Sequence, residues 1–471
     1  MQAEIPPELL HRKLIRQSSQ TSNLRSAPSV RFFCLYQVSL MRYGSIAPEL
    51  FIENRRNFTK LLPPASLAIF HSNDIMPTNA DGTMAFRQNN DLFYLSGVDQ
   101  EESILVIFPD AVLPQYREIL FLKETSEHIL VWEGYKLTKD EARAQSGVPT
   151  IMWLESFKSV LPALMNEAEN VFLNSNEHIR AVVEVETRDA RFIKWIREAY
   201  PLHTYRRAAP LLHRLRAIKS AEEIRLMRRA ADITDKAFRR LLGFVKPGVM
   251  EYEIEAEIFH EFLRHGSRGP AYGSIIASGA NACILHYVSN DRECKDGDVL
   301  LMDFGAEFAN YAADLSRSIP VNGTFTKRQR DVYEAVLRVM KAATANLVAG
   351  NQIEAYHAAV GSTMEQELIK LDLLNESDVR NQDPAAPLYK KYFMHGTSHY
   401  LGLDVHDVGA KYRVFEPGMV YTCEPGIYIR EEGLGIRLEN DILITASGND
   451  DLMKNIPLEV ADIERLMREG R

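Results

Sequence analysis

Residues 298–318, DVLLMDFGAEFANYAADLSRS, place two aspartates inside strand-like apolar runs. Aspartate is a poor strand former and is expensive to bury without a partner. Asp303 nevertheless follows Val299–Met302, and Asp314 comes eleven residues later in a second candidate strand. A turn around Phe308–Asn310 would fold one strand back on the other and aim both carboxylates into one space. Two acids so placed need a proton, an arginine or a cation between them. Taken alone, the stretch fits hairpin-end or salt-bridge residues equally well.

Three further segments narrow the reading. Residues 395–409, HGTSHYLGLDVHDVG, bring His395, His399 and His406 within twelve residues, in a chain with only thirteen histidines. Neutral imidazole is a good ligand for manganese, cobalt or zinc. Not all three are expected to bind metal; some should hydrogen-bond around the substrate. In EPGIYI (424–429), Glu424 ends an apolar run and Pro425-Gly426 forces a turn. In GIRLENDILIT (435–445), Arg437 and Glu439 are two apart, which on one strand puts them on the same face. Four acids and one histidine interrupting strands of one region point to oxygen-dominated ligation of two divalent ions. A structural zinc would more often use cysteines or more histidines.

Around these motifs the texture is strand-rich, with SIIASG, DVLLMDFGAEF, YAADLSRSIP, MVYTCEPGIYI and GIRLENDILIT as short strands. A helix over about 327–348 lies among them, and 376–387 reads as a polar loop. The expectation is an antiparallel or mixed sheet braced by helices. Upstream, residues 213–242 carry a capping box, Ser220 with Glu223, followed by Ile224, Met227, Ala231, Thr234, Phe238 and Leu241 at helical spacing. Lys246-Pro247-Gly248 closes that helix, and a second amphipathic helix follows over about 252–264. Before this pair, SLAIF, DLFYLSGV, SILVIF and VFLN read as strands, with a helix near 188–200, an α/β pattern lacking a nucleotide-binding glycine fingerprint. The domains expected are therefore 1–40, a poorly structured extension; 41–215, a smaller α/β domain; and 216–471, the catalytic domain.

The chain has 471 residues, 46% hydrophobic and 25% charged, with a net charge of -9. That is an ordinary globular composition without the basic face that nucleic acid requires. No apolar run is long enough to span a bilayer. Four cysteines, none in a CxxC pair, read as reduced thiols and make the cytoplasm the expected compartment.

At these motifs the sequence resembles the Xaa-Pro aminopeptidases (aminopeptidase P) of the methionine aminopeptidase/prolidase/creatinase superfamily, from about Met41 to the C-terminus. The segments that carry the resemblance are LLMDFGAEFANYAADLSRSIPVNGTFT, YFMHGTSHYLGLDVHDVG, MVYTCEPGIYI and GIRLENDILIT. It implies an α/β (α+β) chain, with a C-terminal pita-bread fold and a smaller N-terminal creatinase-type domain. It implies five metal ligands, Asp303, Asp314, His399, Glu424 and Glu439, with Asp314 and Glu439 bridging two ions, manganese first and cobalt or zinc as alternatives. It further implies that His286, His395 and His406 act on the substrate, that Tyr428 and Arg437 lie near the site, and that Phe93 is an aromatic reaching a neighbouring subunit's site. The activity expected is release of the residue preceding a proline at position two, by a hydroxide bridging the metals, with Glu424 accepting its proton. A prolidase restricted to Xaa-Pro dipeptides is the alternative. A non-enzymatic binding protein would be expected to have lost ligands, and none is lost. Proline-containing peptides are the expected partners, with no nucleic acid or membrane, in a homo-dimer or homo-tetramer.

Overall fold

The structure is a computed structural model that describes residues 43–470. The extension expected over 1–40 lies outside the described residues. Six strands of the first half, β1 (Ser66–His71), β2 (Ile104–Ile107), β3 (Glu118–Leu122), β4 (Thr150–Trp153), β5 (Asn170–Leu173) and β6 (Thr204–Arg207), form one sheet in the order β4-β3-β2-β1-β5-β6. The β1–β2 and β2–β3 pairs are antiparallel, whereas β1–β5, β5–β6 and β3–β4 are parallel. Because side chains alternate along a strand, Ala68 and Phe70 enter one apolar cluster and Leu67 and Ile69 another. Both faces are covered, which explains the near-continuous apolar strands.

The segment read as a strand, DLFYLSGV, is instead the helix Asn90–Ser96. Asn89 caps it by accepting from the backbone N–H groups of Asp91 and Leu92, and Gly97 stops it at φ 67°. A run of buried residues in a short helix has no period to distinguish it from a buried strand. Phe93, inside this helix, is fully buried and meets Phe51 edge-on. Its ring belongs to the core, so it does not reach a neighbouring subunit's site as the resemblance implied.

The expected junction near 215 falls at the end of the helix Ala209–Arg216. The capping box forms as read: Ser220 and Glu223 each accept from the other's backbone N–H, starting the helix Ala221–Phe244. Met227, Ala231, Thr234, Phe238 and Leu241 are buried, and Ile224 is half-buried. The helices Glu251–Arg264, Lys327–Asn346 and Ile353–Lys370 complete the brace. The polar stretch expected as a loop holds a short helix, Glu376–Arg380.

The strands of this half are β7 (Ile275–Ser278), β8 (Val299–Asp303), β9 (Glu307–Phe308), β10 (Tyr311–Ala312), β11 (Ser316–Pro320), β12 (Val420–Cys423), β13 (Gly426–Ile429), β14 (Leu434–Arg437), β15 (Asn440–Thr445) and β16 (Gly448–Asp451). They make small antiparallel sheets: β11-β8-β7, β12-β15-β16, and the pairs β10-β9 and β13-β14. Each long strand expected from sequence is broken at its acid. Asp314 separates β10 from β11, Glu424 separates β12 from β13, and Glu439 separates β14 from β15. Arg437 and Glu439 therefore do not share one strand face. No helix among the described residues is long and apolar enough to cross a membrane.

Candidate metal centre

The aspartate pair is built by a tight reversal. Ala309 and Asn310, at φ 53° and 68°, form the two-residue turn between β9 and β10, the positive-φ geometry that favours such hairpins. The chain then returns beside itself, with Phe304 N–H donating to Leu315 O and Ala313 N–H to Ala306 O. Gly305 permits this approach: a Cβ there would sit 1.7 Å from Ala313 O. The β8–β11 register pairs Asp303 with Ser316, leaving Asp303 and Asp314 adjacent. Glu439 joins them through its N–H to Ser316 O, while Thr422 N–H to His399 O and Glu424 N–H to Thr397 O tie the histidine loop to β12.

All five expected ligands line one cavity of about 460 Å3, together with His286, His395, His406 and Arg437. One ligand atom each from Asp314, His399 and Glu439 lies within 4.8 Å of the others. His399 Nε2 is 3.5 Å from both Asp314 Oδ2 and Glu424 Oε1. Its Nδ1 lies 3.0 Å from Tyr400 O, which fixes the proton there and leaves the Nε2 lone pair facing the carboxylates.

Tyr428, expected near the site, is buried behind the cavity wall. Its hydroxyl accepts from Arg437 Nη1 at 3.0 Å and lies 2.8 Å from His395 Nε2. Since His395 Nδ1 faces Gly396 O, Nε2 is the acceptor for the Tyr428 proton. Arg437 also donates to Asp303 Oδ2 at 2.6 Å and to Ser316 Oγ at 2.8 Å, and Ser316 donates to Glu439 at 2.7 Å. The Tyr272 hydroxyl lies 2.6 Å from Asp303 and 2.5 Å from Asp314, with its one proton to share between them. Tyr272 and Ser316 carry no signal in the sequence: a lone tyrosine or serine acquires meaning only when the fold sets it against the acids.

Electrostatically the cavity is over-supplied with acid. Burial, then Asp303 and Asp441, hold the Asp314 carboxyl well above the usual carboxylate range. Burial, then Asp314 and Glu424, do the same to Glu439. Burial pushes Glu424 up to about 8 against the pull of Arg437. Burial lowers His399 to about 3, with His406 adding to it, and lowers His406 to about 4, with Arg180 adding to it. Neutral imidazole lone pairs thus face carboxylates that repel one another, acceptor against acceptor. Bound divalent cations relieve that repulsion, and the oxygen-rich donor set with one imidazole suits hard or borderline ions. The residues fit such ions.

A strand-broken cluster of buried acids around one neutral histidine is the kind of site a metallopeptidase has. Residues 225–446 match Metallopeptidase family M24, and residues 51–172 match Aminopeptidase P, N-terminal domain. The chain is 37% identical to the Xaa-Pro aminopeptidase of Haemophilus influenzae, over 91% of this chain and 99% of that protein. The solved Pseudomonas aeruginosa aminopeptidase PepP superposes with a TM-score of 0.82 at 32% identity, covering 90% of this chain and 99% of its own. A zinc-substituted Escherichia coli aminopeptidase P bound to product gives 0.80 at 34% identity, covering 91% and 100%. The chain belongs to the Xaa-Pro aminopeptidase family and is a metallo-exopeptidase with a C-terminal pita-bread domain.

Proposed function

We propose that the enzyme releases the first residue from peptides with proline second, and that Asp303, Asp314, His399, Glu424 and Glu439 hold two divalent cations, manganese in the first instance. The convergence of Asp314, His399 and Glu439 within 4.8 Å, among mutually repelling acids, carries the reading. Such a cation pair lowers the pKa of water and stabilises negative charge on the scissile carbonyl.

The chain's own groups divide the remaining work. Glu424 accepts a proton from the attacking water. His406 is neutral at working pH and donates an N–H hydrogen bond to the carbonyl oxygen as charge grows on it. His286 positions the scissile unit, and His395, held by Tyr428, lines the proline side. Arg437 neutralises and orients Asp303. The Xaa-Pro bond is a tertiary amide with no N–H, so a site shaped for the ring gains where a general peptidase loses a contact.

We also propose residues 41–215 and 216–471 as the two domains, a homo-dimer or homo-tetramer as the assembly, and the cytoplasm as the compartment. The free, buried Cys283, Cys294 and Cys423 suit a reducing compartment. The prolidase alternative has no observation in its favour beyond the shared metal site. A panel of Xaa-Pro dipeptides, Xaa-Pro-Yaa tripeptides and matched peptides without proline, assayed with manganese, cobalt and zinc, tests the reading. Release of the first residue from tripeptides is expected; cleavage of dipeptides alone would replace it with prolidase.

A further inference from the structure

His286 stands on a segment that its own backbone does little to hold. Residues 285–291 make no backbone–backbone hydrogen bond among the described residues. Ile284, His286 and Val288 are exposed, and His286 and Val288 lie on the wall of the metal cavity. Within the segment only Tyr287 and Asn290 are buried. Asn290 accepts from Ile276 N–H and donates to Ser274 O, which ties the far end to β7. The Tyr287 hydroxyl lies 2.8 Å from Glu251 Oε2 and 3.1 Å from Asp291 Oδ1.

Glu251 begins the helix Glu251–Arg264 and is fully buried, with no ion pair among the described residues. A buried carboxylate without a cation is costly unless hydrogen-bond donors surround it. Four surround this one, and all four come from residues 278–292. Ser278 N–H donates to Oε1 at 2.8 Å, and Asn281 Nδ2 donates to the same oxygen at 3.4 Å. Arg292 N–H donates to Oε2 at 3.0 Å, beside the Tyr287 hydroxyl. An acid at a helix start ordinarily serves that helix's own free N–H groups. None of these donors belongs to the helix, whose capping falls to Glu253, the acceptor for Met250 N–H. One carboxylate thus clasps the start, the middle and the end of the loop that carries His286.

The ring of Tyr287 is fixed as well as its hydroxyl. It shares a small apolar cluster with Leu301 and Tyr428, against which Leu285 and Met394 pack. Tyr428 holds His395, so this one cluster underlies both of the histidines assigned to the substrate. Neither Glu251 nor Tyr287 lines the metal cavity. We propose that Glu251 is a positioning residue for the reaction: through the Tyr287 hydroxyl and the two ends of the loop, it holds His286 at the scissile unit without touching substrate. A reacting geometry displaced by about 1 Å can cost about a hundredfold in rate. The clasp therefore acts on turnover and leaves metal binding alone.

This inference rests on the Xaa-Pro reading, and the test separates the two. Tyr287→Phe deletes one oxygen from the clasp and keeps the ring in its cluster. Glu251→Gln keeps the shape but turns an amide N–H toward groups that are themselves donors. Each is measured for kcat/KM on Ala-Pro-Ala with manganese, alone and combined with His286→Ala, and for manganese affinity by calorimetric titration. Alone, each should lower kcat/KM about tenfold with manganese affinity unchanged. In the His286→Ala background neither should lower it further by more than about twofold, because the group being positioned is gone. The His286 ring-proton resonance of the zinc-loaded protein, assigned by its loss in His286→Ala, should shift or broaden in Tyr287→Phe, a readout independent of turnover. If Glu251→Gln fails to fold, Tyr287→Phe decides; if His286→Ala has no measurable turnover, the resonance decides. Full kcat/KM in the folded variants, an equal loss with and without His286, or an unmoved resonance overturns the positioning role and leaves the Xaa-Pro reading intact. A wild-type enzyme inert to Ala-Pro-Ala overturns both.

Discussion

Ser316 shows how much of the centre rests on residues that bind nothing themselves. Its hydroxyl accepts from Arg437 and donates to Glu439, so one small side chain orients the guanidinium and a carboxylate together. Groups that orient metal ligands typically contribute ten- to a hundredfold in affinity. Ser316→Ala is therefore expected to weaken manganese binding by about tenfold or more, read by calorimetric titration, with the far-UV spectrum unchanged. Replacing a proposed ligand goes further: Asp314→Ala and Glu439→Ala should each lower kcat/KM by roughly a thousandfold. They should not unfold the chain, because each removes a carboxylate that burial and its neighbours already oppose. At this scale the acids that line the cavity were legible, since an acid inside an apolar run violates the pattern around it. Tyr272 and Ser316 were not, because their residue types fit many surroundings and only the fold sets them against the acids. Phe93 was misplaced for a related reason: a sequence match carries a position in the chain, not the direction of a side chain, and this ring faces the core.

The elements hold the site by close approach and by buried charge. Gly305 lets the segment after β8 touch the one before β11, and a methyl group there collides with Ala313 O. Gly305→Ala should destabilise by about 1–3 kcal/mol or more as the strands part. It should also weaken metal binding, since Asp303 and Asp314 separate with them; a thermal melt with and without manganese reads both. The His406 loop is anchored differently. Asp407 accepts from Arg216 at 2.6 Å and from Lys219 at 3.0 Å, all three buried. Burial works to raise the Asp407 carboxyl, but Lys219 and Arg216 outweigh it and hold it below its ordinary value. A depressed folded-state pKa contributes stability that is fully present above the unfolded value, about 3.9, and is lost as pH falls through the folded value. The urea midpoint should accordingly fall as pH drops below about 4, and Asp407→Asn should lack that component. Helices with capping boxes and clear periods were legible in sequence. The strands were legible as apolar runs but not in their breaks, because the acid that ends each one is held there by contacts distant along the chain.

For the whole molecule, each proposed domain has an apolar interior of its own, and a third cluster spans both. One cluster takes Phe51, Phe70 and Phe93 from the first half and Leu226, Met227, Tyr311 and Leu401 from the second. Arg216 bridges Asp91 in one and Asp407 in the other. A shared core predicts one calorimetric unfolding transition for the intact chain, and two well-separated transitions would show independent domains. Sequence texture indicated two regions but gave no sign of this shared interior, because burial between domains leaves no period of its own. The most direct test of the account is an anomalous-difference map from crystals grown with manganese. Two manganese peaks among Asp303, Asp314, His399, Glu424 and Glu439 are predicted; a single peak, or peaks lying away from these residues, would contradict it.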